Sequence, residues 1–156
     1  MLIVLFDIDG QKFGIDSQYI KEIVPYVQST PVLYSPPFVI GEIIYQEEAI
    51  PLVDLNLLFS GKSADEYFSS RIAILRLLYE PQGIKIAVLA NKMTTTVNCV
   101  DDEFVKNNLS SHEDSLFEKV IRKDGFRIQI TAVEKLLQKK DYISLLNKIY
   151  ENKPVV

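Results

Sequence analysis

Residues 41–59, GEIIYQEEAIPLVDLNLLF, constrain the fold more than any other part of this chain. Two short runs of strand-forming residues flank the polar group Gln46-Glu47-Glu48, which predicts a β-hairpin. Pro51 cannot donate a hydrogen bond within a sheet, so it indicates an edge position or a bulge. Leu55 to Phe59 predicts a short helical turn after the hairpin. Strands this short need closure or a partner sheet to satisfy their edges.

The rest of the chain also reads mostly as short strands joined by turns. The predicted strands are Leu2–Ile8, Lys12–Ile15, Ile20–Val24, Arg71–Tyr79, Lys85–Leu89, Thr94–Val100, Phe117–Ile121 and Phe126–Ile130. Turn signals are Asp9-Gly10, Glu80-Pro81-Gln82-Gly83 and Asp124-Gly125, and Asp16–Tyr19 predicts one turn of helix. A closing amphipathic helix is predicted over Asp141–Tyr150, with Asp141 as its N-cap.

The hairpin segment shows a weak similarity to a second segment of the same chain. Phe38–Phe59 aligns without a gap on Leu116–Leu137, at a constant offset of 78 positions. The aligned apolar pairs are Phe38 with Leu116, Ile43 with Ile121, Ile50 with Ile128, Leu52 with Ile130 and Leu58 with Leu136. An ungapped match over a hairpin and its helical turn favours two similar β lobes, built as small barrels packed side by side.

Composition limits the class of protein. The 156 residues and the 47% hydrophobic content fit one compact domain, or two small lobes with a shared core. A net charge of −4 provides no general basic field, which argues against nucleic-acid binding. The single Cys99 excludes an internal disulfide and fits a reducing cytoplasm. The opening MLIVLF is too short to span a membrane and predicts a first strand, so we expect a cytoplasmic protein without membrane insertion.

Catalytic and metal-binding motifs are missing from the sequence, which has no Gly-rich phosphate loop, CxxC or HExxH. Asp54 starts a helical turn, so we interpret it as an N-cap, since acid–base catalysis would need a facing partner. Glu47-Glu48 and Asp101-Asp102-Glu103 are typical of solvated turns and loops, with metal binding as the alternative. His112 is interpreted as a surface histidine, and Cys99 as a small buried hydrophobe.

The chain resembles the CheW family of bacterial chemotaxis coupling proteins. The family's Gly-Ile-Asp, Val-x-Glu-Ile and Gly-Val-x-x-Leu-Arg-Gly-x-x-x-Pro-x-x-Asp-Leu patterns correspond to FGID at Phe13–Asp16, IKEIV at Ile20–Val24 and SPPFVIGEIIYQEEAIPLVDL at Ser35–Leu55. In the second half, IAVLANKM at Ile86–Met93 and KDGFRIQITAVEKLL at Lys123–Leu137 are similar to a family strand and to its final hairpin and helix.

The resemblance implies a mainly β fold of two five-stranded SH3-like barrels around a shared hydrophobic core, with short helices and a C-terminal helix. It implies no catalytic activity and no cofactor. Family members bridge the cytoplasmic tip of a chemoreceptor and the regulatory domain of a CheA-type histidine kinase, and so they reach membrane receptor arrays through partners. Carried over to this chain, the interface positions are Ile20, Glu22, Ile23, Gly41 and Gln46.

We expect a single CheW-like domain over residues 1–156. Its first lobe is expected at about residues 13–70 with a contribution from the C-terminal segment, and its second at about 71–138 with the N-terminal strand, with strand exchange left open. Residues 139–156 are expected to form the C-terminal helix and tail.

The chain also departs from the family pattern. Gln46-Glu47 replaces the family's Arg-Gly, which removes a guanidinium that pairs with carboxylates. It also removes a glycine that adopts positive φ freely, so we expect a reshaped turn. Ala90-Asn91 replaces the usual Val-Asp, and Lys119 stands where the family has glycine. We expect the scaffold to be kept and the choice of partner to be changed.

Several interpretations stay open at this point. The leading one is an adaptor in a chemotaxis-like or twitching-motility-like pathway. The alternatives are a degenerate module with a different protein partner, or a small-molecule-binding β-barrel protein, which would have a deep polar pocket between the barrels. Gly41 can serve simply as a strand-bend glycine, and Ile20 and Ile23 can be core residues instead of interface residues.

Overall fold

The computed structural model describes residues 1–33, 36–64, 70–76, 85–100, 104–105 and 116–137, which are mainly β. Its strands are β1 (Leu2–Ile8), β2 (Gln11–Asp16), β3 (Ile20–Pro25), β4 (Val39–Tyr45), β5 (Glu48–Asp54), β6 (Ser70–Leu75), β7 (Ile86–Asn98), β8 (Phe104–Val105), β9 (Phe117–Lys123) and β10 (Phe126–Thr131). The helical elements are a single 3-10 turn (Ser17–Tyr19), α1 (Leu55–Ser60) and α2 (Val133–Leu137).

Five strands form a first barrel, in the order β3-β6-β7-β5-β4. β5 runs parallel to β7, and the other pairs are antiparallel. The chain that leaves β3 returns to β4, where Thr30 and Glu42 exchange two backbone hydrogen bonds of 2.8 Å. This bridge closes the barrel, because it joins the extension of β3 to the strand at the other end of the order.

A second barrel has the order β7-β1-β2-β10-β9, with the short β8 added against β9. Here β10 runs parallel to β2, as β5 runs parallel to β7 in the first barrel. The C-terminal part of β7 pairs with β1, whereas its N-terminal part pairs with β5 and β6. β7 therefore belongs to both barrels.

Strands that are buried on both faces fill three clusters of apolar side chains. Successive residues of a strand point to opposite faces. In β6, Ile72 and Ile74 lie inside the first barrel, whereas Ala73 and Leu75 join a cluster shared by both barrels. β1 divides its side chains in the same way between the interior of the second barrel and the shared cluster. This double burial explains why such segments are continuously apolar in the sequence.

The internal sequence similarity at an offset of 78 positions corresponds to a structural repeat. The bounds of β4, β5 and α1 coincide at that offset, within one residue, with those of β9, β10 and α2. The backbone N–H of Asp54 donates to the carbonyl of Phe38 at 2.9 Å, and that of Ala132 donates to the carbonyl of Leu116 at 2.7 Å. The interior positions also correspond, with Ile43, Ile50 and Leu52 in the first barrel and Ile121, Ile128 and Ile130 in the second. The prediction of two similar β lobes is confirmed.

One predicted strand boundary is wrong. The sequence predicts separate extended segments at Lys85–Leu89 and Thr94–Val100, but most of both segments belongs to β7. Lys92 adopts a φ of 54° within β7, and the register between β1 and β7 shifts at this point. The strand therefore bends at an irregularity instead of ending, which lets one strand serve both barrels.

The strand pairing also divides the chain differently from the lobe boundaries predicted from the sequence. β6 and the first part of β7 follow residue 70, yet they pair with β3 and β5 of the first barrel. β2 contains residues 13–16, yet it pairs with β1 and β10 of the second barrel. The first barrel is thus inserted into the second, because β1 and β2 precede it along the chain and β8, β9 and β10 follow it.

Pro51 pairs with β4 and precedes the section of β5 that pairs with β7, so it occupies a locally unpaired edge position although β5 as a whole has partners on both sides. β5 pairs with β4 along its length and with β7 over its last residues, beginning at Leu52. The missing N–H of Pro51 is tolerated because it precedes the section that pairs with β7. The bulge interpretation holds nearby, since the register between β4 and β5 shifts between Val39 and Gly41.

Four sequence predictions lie outside the described residues. They are the C-terminal helix and tail at 139–156 with its helix at Asp141–Tyr150, the turn at Glu80–Gly83, the loop at Asp101–Glu103 and the surface position of His112.

Candidate interaction surface

The three predicted interface residues of the Ile20–Ile23 segment lie on β3, an end strand of the first barrel. Ile20 pairs with Leu75, and Glu22 pairs with Ile74. The register shifts between these two pairs, so Lys21 is an extra residue in β3. Bulges of this kind re-aim side chains and occur frequently near functional sites.

The β4–β5 turn brings Gln46 toward this bulge. Lys21 Nζ donates to Gln46 Oε1 at 2.9 Å, and the same ammonium lies 5.4 Å from the centre of the Tyr45 ring. The Tyr45 hydroxyl donates a short hydrogen bond to Glu22 Oε2. Side chains therefore connect β3 to the tip of the hairpin. We call the group Lys21, Glu22, Tyr45 and Gln46, with the neighbouring Ile23 and Ile44, the β3–hairpin surface.

The turn itself keeps a tight two-residue form in spite of the missing glycine. Gln46 and Glu47 have φ angles of 48° and 66°, so both non-glycine residues adopt the left-handed region. Successive left-handed residues are typical of the type I′ turn, whose twist matches that of the flanking strands. The hairpin imposes this geometry, and the two side chains tolerate it at a cost of about 1–2 kcal/mol each. A turn reshaped relative to that of the family stays a prediction.

Two exposed isoleucines lie on the strands that carry this surface. Ile23 is 37% exposed and Ile44 is 72% exposed. Ile20, by contrast, is partly buried and packs against the shared core. The structure therefore presents Ile23 to solvent and uses Ile20 for packing.

Gly41 is buried and has a structural reason for being glycine. Its φ is 153°, and a Cβ placed on it would lie 2.4 Å from the Thr30 carbonyl oxygen and 2.8 Å from Ser29 Oγ. The neighbouring Glu42 makes the backbone bridge with Thr30 that closes the barrel. The position supports the strand-bend interpretation, since a side chain here would push away the segment that seals the barrel.

Sequence reasoning missed Lys21, Tyr45 and Ile44 as parts of this surface. Ile43 and Ile44 are consecutive in a strand, so one of them had to face outward, and this signal was available. The roles of Lys21 and Tyr45 depend on the β3 bulge and on the approach of β3 to the hairpin, which the sequence pattern does not show.

The electrostatics of the surface are local. The hydrogen bond that Tyr45 donates to Glu22, together with slight desolvation and the charge of Glu22, raises the pKa of the Tyr45 phenol. The phenol therefore holds its proton and remains a donor to the carboxylate. Glu48 on the far side of the turn pairs with Lys85 at 3.0 Å.

Asp54 has the capping role predicted from the sequence. Its side chain accepts from the backbone N–H of Leu57 at 3.1 Å and from that of Ala64 at 2.8 Å. Burial raises the pKa of the Asp54 carboxyl, although hydrogen bonds from the backbone N–H groups of Ala64, Leu57 and Asn56 act in the opposite direction. These bonds hold the start of α1 against the loop that follows it. The role of Asp54 is therefore structural.

The remaining features concern Cys99, possible metal ligands, helix length and the space between the barrels. Cys99 is buried among apolar side chains of the second barrel, as predicted. Over the described ranges, no cluster of histidine, cysteine and carboxylate side chains is arranged to hold a metal ion. Within the same part of the chain, no helix is long and apolar enough to cross a membrane. The space between the barrels is occupied by the shared apolar cluster.

Comparisons with known proteins agree with this architecture. The family model described as "CheW-like domain" matches residues 2–141. The crystal structure of scaffolding protein TtCheW from Thermoanaerobacter tengcongensis is similar to this structure, with a TM-score of 0.71 and 21% sequence identity. The match covers 85% of this chain and 84% of that chain. The predicted fold of two SH3-like barrels is confirmed.

Proposed function

This chain belongs to the CheW-like domain family, and on that basis we propose that it is a non-catalytic adaptor that couples chemoreceptors to a CheA-type histidine kinase. The observation that carries the proposal is the family match over residues 2–141. The cytoplasmic tip of a receptor and the regulatory domain of the kinase are the two partners. A chemotaxis-like or twitching-motility-like pathway in the cytoplasm is the setting.

The β3–hairpin surface is the part of the molecule that we assign to partner binding. Exposed apolar side chains beside a polar network are typical of protein interfaces, in which an apolar centre is surrounded by polar groups. Ile23 and Ile44 supply the apolar contacts, and Glu22 and Gln46 supply hydrogen-bonding groups at their edge. Gly41 supports this surface from below, by allowing the barrel to close.

The partner preference follows from Gln46. The family's arginine would offer a charged fork to a carboxylate, whereas the Gln46 amide is neutral and already accepts a hydrogen bond from Lys21. The cation of the β3–hairpin surface is thus Lys21, which lies on β3, whereas the family's arginine position, Gln46, lies in the β4–β5 turn. We infer that the partner is a receptor tip whose acidic groups are arranged differently from those of a conventional chemoreceptor.

Binding to purified partners tests the proposal. Isothermal titration is carried out with the regulatory domain of a CheA-type kinase and, separately, with a chemoreceptor tip fragment. Ile23→Asp is expected to weaken binding of at least one partner about tenfold or more, because a charge would enter the apolar part of the interface. Leu33→Asp is the matched control, since Leu33 is 82% exposed and lies outside the β3–hairpin surface.

The result also separates the alternatives. Failure of both partners to bind the wild-type protein would contradict the adaptor proposal. A saturable rise in melting temperature with a small molecule, without kinase binding, would favour the binding-protein alternative instead. Gln46→Arg is expected to increase affinity for a conventional receptor tip, and an unchanged affinity would remove the hairpin from the contact surface.

A further inference from the structure

A recess of about 400 Å³ opens at the end of the second barrel, beside the β9–β10 turn. Leu5, Val97 and Ile128 provide apolar lining, and two threonines, charged residues and Phe126 complete its walls. Its volume lies within the range of about 300–1,000 Å³ that is typical of ligand pockets. We call this recess the second-barrel mouth.

The structural repeat shows why this mouth is open. In the first barrel, Tyr45 packs against the interior cluster and its hydroxyl reaches Glu22 across the barrel end. The equivalent residue of the second barrel, 78 positions later, is Lys123. Its ammonium donates to the Asn98 carbonyl, so a flexible chain stands where the first barrel has a ring. The mouth is therefore open in one barrel and covered in the other.

A second difference between equivalent positions of the two barrels places an exposed aromatic ring at the rim of the mouth. Glu48 of the first barrel pairs with Lys85 at 3.0 Å. Its equivalent in the second barrel is Phe126, which is 56% exposed. Lys12 Nζ lies 6.0 Å from the centre of the Phe126 ring. An exposed ring beside a recess offers a large contact area at a small cost in side-chain entropy, which is the property of an interface anchor.

The charges around the mouth differ in sign from those of the whole chain. Lys12, Lys92 and Lys123 line it together with Asp7 and Asp124. Asp7 pairs with Lys12 at 2.7 Å and with Lys92 at 3.7 Å, so one carboxylate holds two ammonium groups at the rim.

More positive charge lies next to the mouth. Arg122 and Arg127 line an adjoining recess of about 370 Å³, which shares Lys123, Asp124 and Phe126 with the mouth. The cations of the two recesses outnumber their carboxylates, although the chain as a whole carries a net charge of −4. A local positive field of this kind attracts acidic partners and disfavours basic ones.

We propose that the second-barrel mouth docks an acidic peptide segment of a partner protein, with one aromatic side chain of that segment inserted into the recess. The inserted ring would contact Phe126 and the apolar lining, as Tyr45 contacts the interior of the first barrel. Carboxylates on either side of it would face the lysines and arginines of the rim. This site lies on the second barrel and shares no residue with the β3–hairpin surface, so it goes beyond the proposed function and does not depend on it.

Fluorescence anisotropy with a labelled peptide tests the proposal. The probe is fluorescein-labelled Asp-Glu-Asp-Trp-Asp-Glu-Asp, and the two comparison peptides replace the tryptophan by serine or all acidic residues by lysine. The probe is expected to bind saturably, the serine peptide about tenfold more weakly, and the lysine peptide not at all. Equal binding of the probe and the serine peptide would overturn the proposal, because simple charge attraction would then explain both.

Three variants assign the binding to the mouth. Phe126→Ser removes the exposed ring, and Lys123→Tyr restores the side chain that covers the first barrel, so each is expected to weaken probe binding about tenfold or more. Lys92→Glu, at a lysine side chain that is 68% exposed, reverses a rim charge without disturbing the core, and the same loss is expected. Leu33→Ser, at a residue that is 82% exposed and lies outside both surfaces, is the control and should bind like the wild type.

Circular dichroism and urea unfolding show which variants are folded. Wild-type affinity in the folded Phe126→Ser and Lys92→Glu variants would overturn the proposal, as would the absence of saturable binding to the wild-type protein. If the kinase domain and the receptor tip both failed to bind, the peptide experiment would still test this proposal, since the two experiments use different ligands and different surfaces.

Discussion

At the scale of single residues, the two hairpin turns adopt the same left-handed backbone conformation with different side chains. Gln46 and Glu47 adopt φ angles of 48° and 66°, and the equivalent Asp124 and Gly125 adopt 52° and 80°. Glycine reaches this region without steric cost, whereas a residue with a Cβ crowds the following carbonyl oxygen. The first barrel therefore stores strain at a position where the second has none.

Exchanging glycine at this turn position should change stability in opposite directions in the two barrels. Glu47→Gly is expected to raise the free energy of unfolding by about 1 kcal/mol, because it relieves the left-handed conformation. Gly125→Ala is the matched control and should lower it by a similar amount, since a Cβ at Gly125 meets no atom within 4 Å and only backbone strain is added. Urea unfolding measures both, and a destabilising Glu47→Gly would contradict this account of the turn.

Thr131 is a second residue at which the barrels differ. Its Oγ1 is buried without a hydrogen-bond partner, and the equivalent residue of the first barrel is the fully buried Val53. A buried hydroxyl without a partner costs about 1–3 kcal/mol. Thr131→Val is therefore expected to raise the free energy of unfolding by about 1 kcal/mol, and Val53→Thr to lower it by at least as much. Calorimetric melting of the two variants measures both changes. A lower stability of Thr131→Val would show that the hydroxyl has a partner in solution.

At the scale of elements, the hairpin and helix repeat is stabilised by different contacts at its two helix starts. Asp54 caps α1 and reaches Ala64, whereas the equivalent residue before α2 is Ala132. The first copy thus carries a buried carboxylate that the second copy lacks. Burial raises the pKa of Asp54, so this element has a pH dependence of its own.

The sign of that dependence follows from proton linkage. The folded-state pKa of Asp54 lies above the ordinary value of 3.8, so the folded protein binds this proton more tightly than the unfolded chain does. The contribution to stability is fully present below pH 3.8 and is lost as the pH rises through the raised value.

Asp54→Asn removes the titration while keeping a good capping residue. We expect the difference in the free energy of unfolding, wild type minus variant, to fall as the pH rises through this window and to stay constant above it. Urea unfolding from about pH 3 to about pH 7 measures the difference. A difference that rises with pH in that window would mean that the backbone hydrogen bonds outweigh burial at this carboxyl.

How much the sequence could predict also depends on the element. The strands up to the β4–β5 hairpin, α1 and the β9–β10 hairpin follow from apolar runs, turn residues and the offset of 78 positions. Strand partners that are distant in the chain do not, because pairing such as β5 with β7 is set by barrel closure and leaves no local pattern. For the same reason Glu22 and Gln46 could be proposed from family resemblance, but not the approach of Lys21 and Tyr45 that joins them.

At the scale of the whole molecule, the shared apolar cluster links the two barrels energetically. It draws side chains from both barrels and from both α-helices. β7 adds a covalent link, since it pairs with strands of both barrels. We therefore expect the two barrels to unfold as one cooperative unit in spite of their separate interiors.

A cavity in one barrel should consequently destabilise both. Leu52→Ala, inside the first barrel, is expected to lower the free energy of unfolding by about 2–5 kcal/mol in a single transition. Ile130→Ala is the matched change in the second barrel and should have a similar effect. Hydrogen exchange of β1 amides in Leu52→Ala measures the coupling, and unchanged protection of β1 together with loss of protection in β6 would show that the barrels unfold independently.

The insertion of one barrel within the other has a consequence for synthesis on the ribosome. Every strand of the first barrel has emerged once β7 is complete, and β1 then has both of its partners, β2 and β7. β2 must still wait for β10, more than a hundred residues after it, and during that interval its unpaired edge is exposed to nascent neighbours and to chaperones. The finished first barrel, joined to β1 through β7, then serves as the template on which the late hairpin docks.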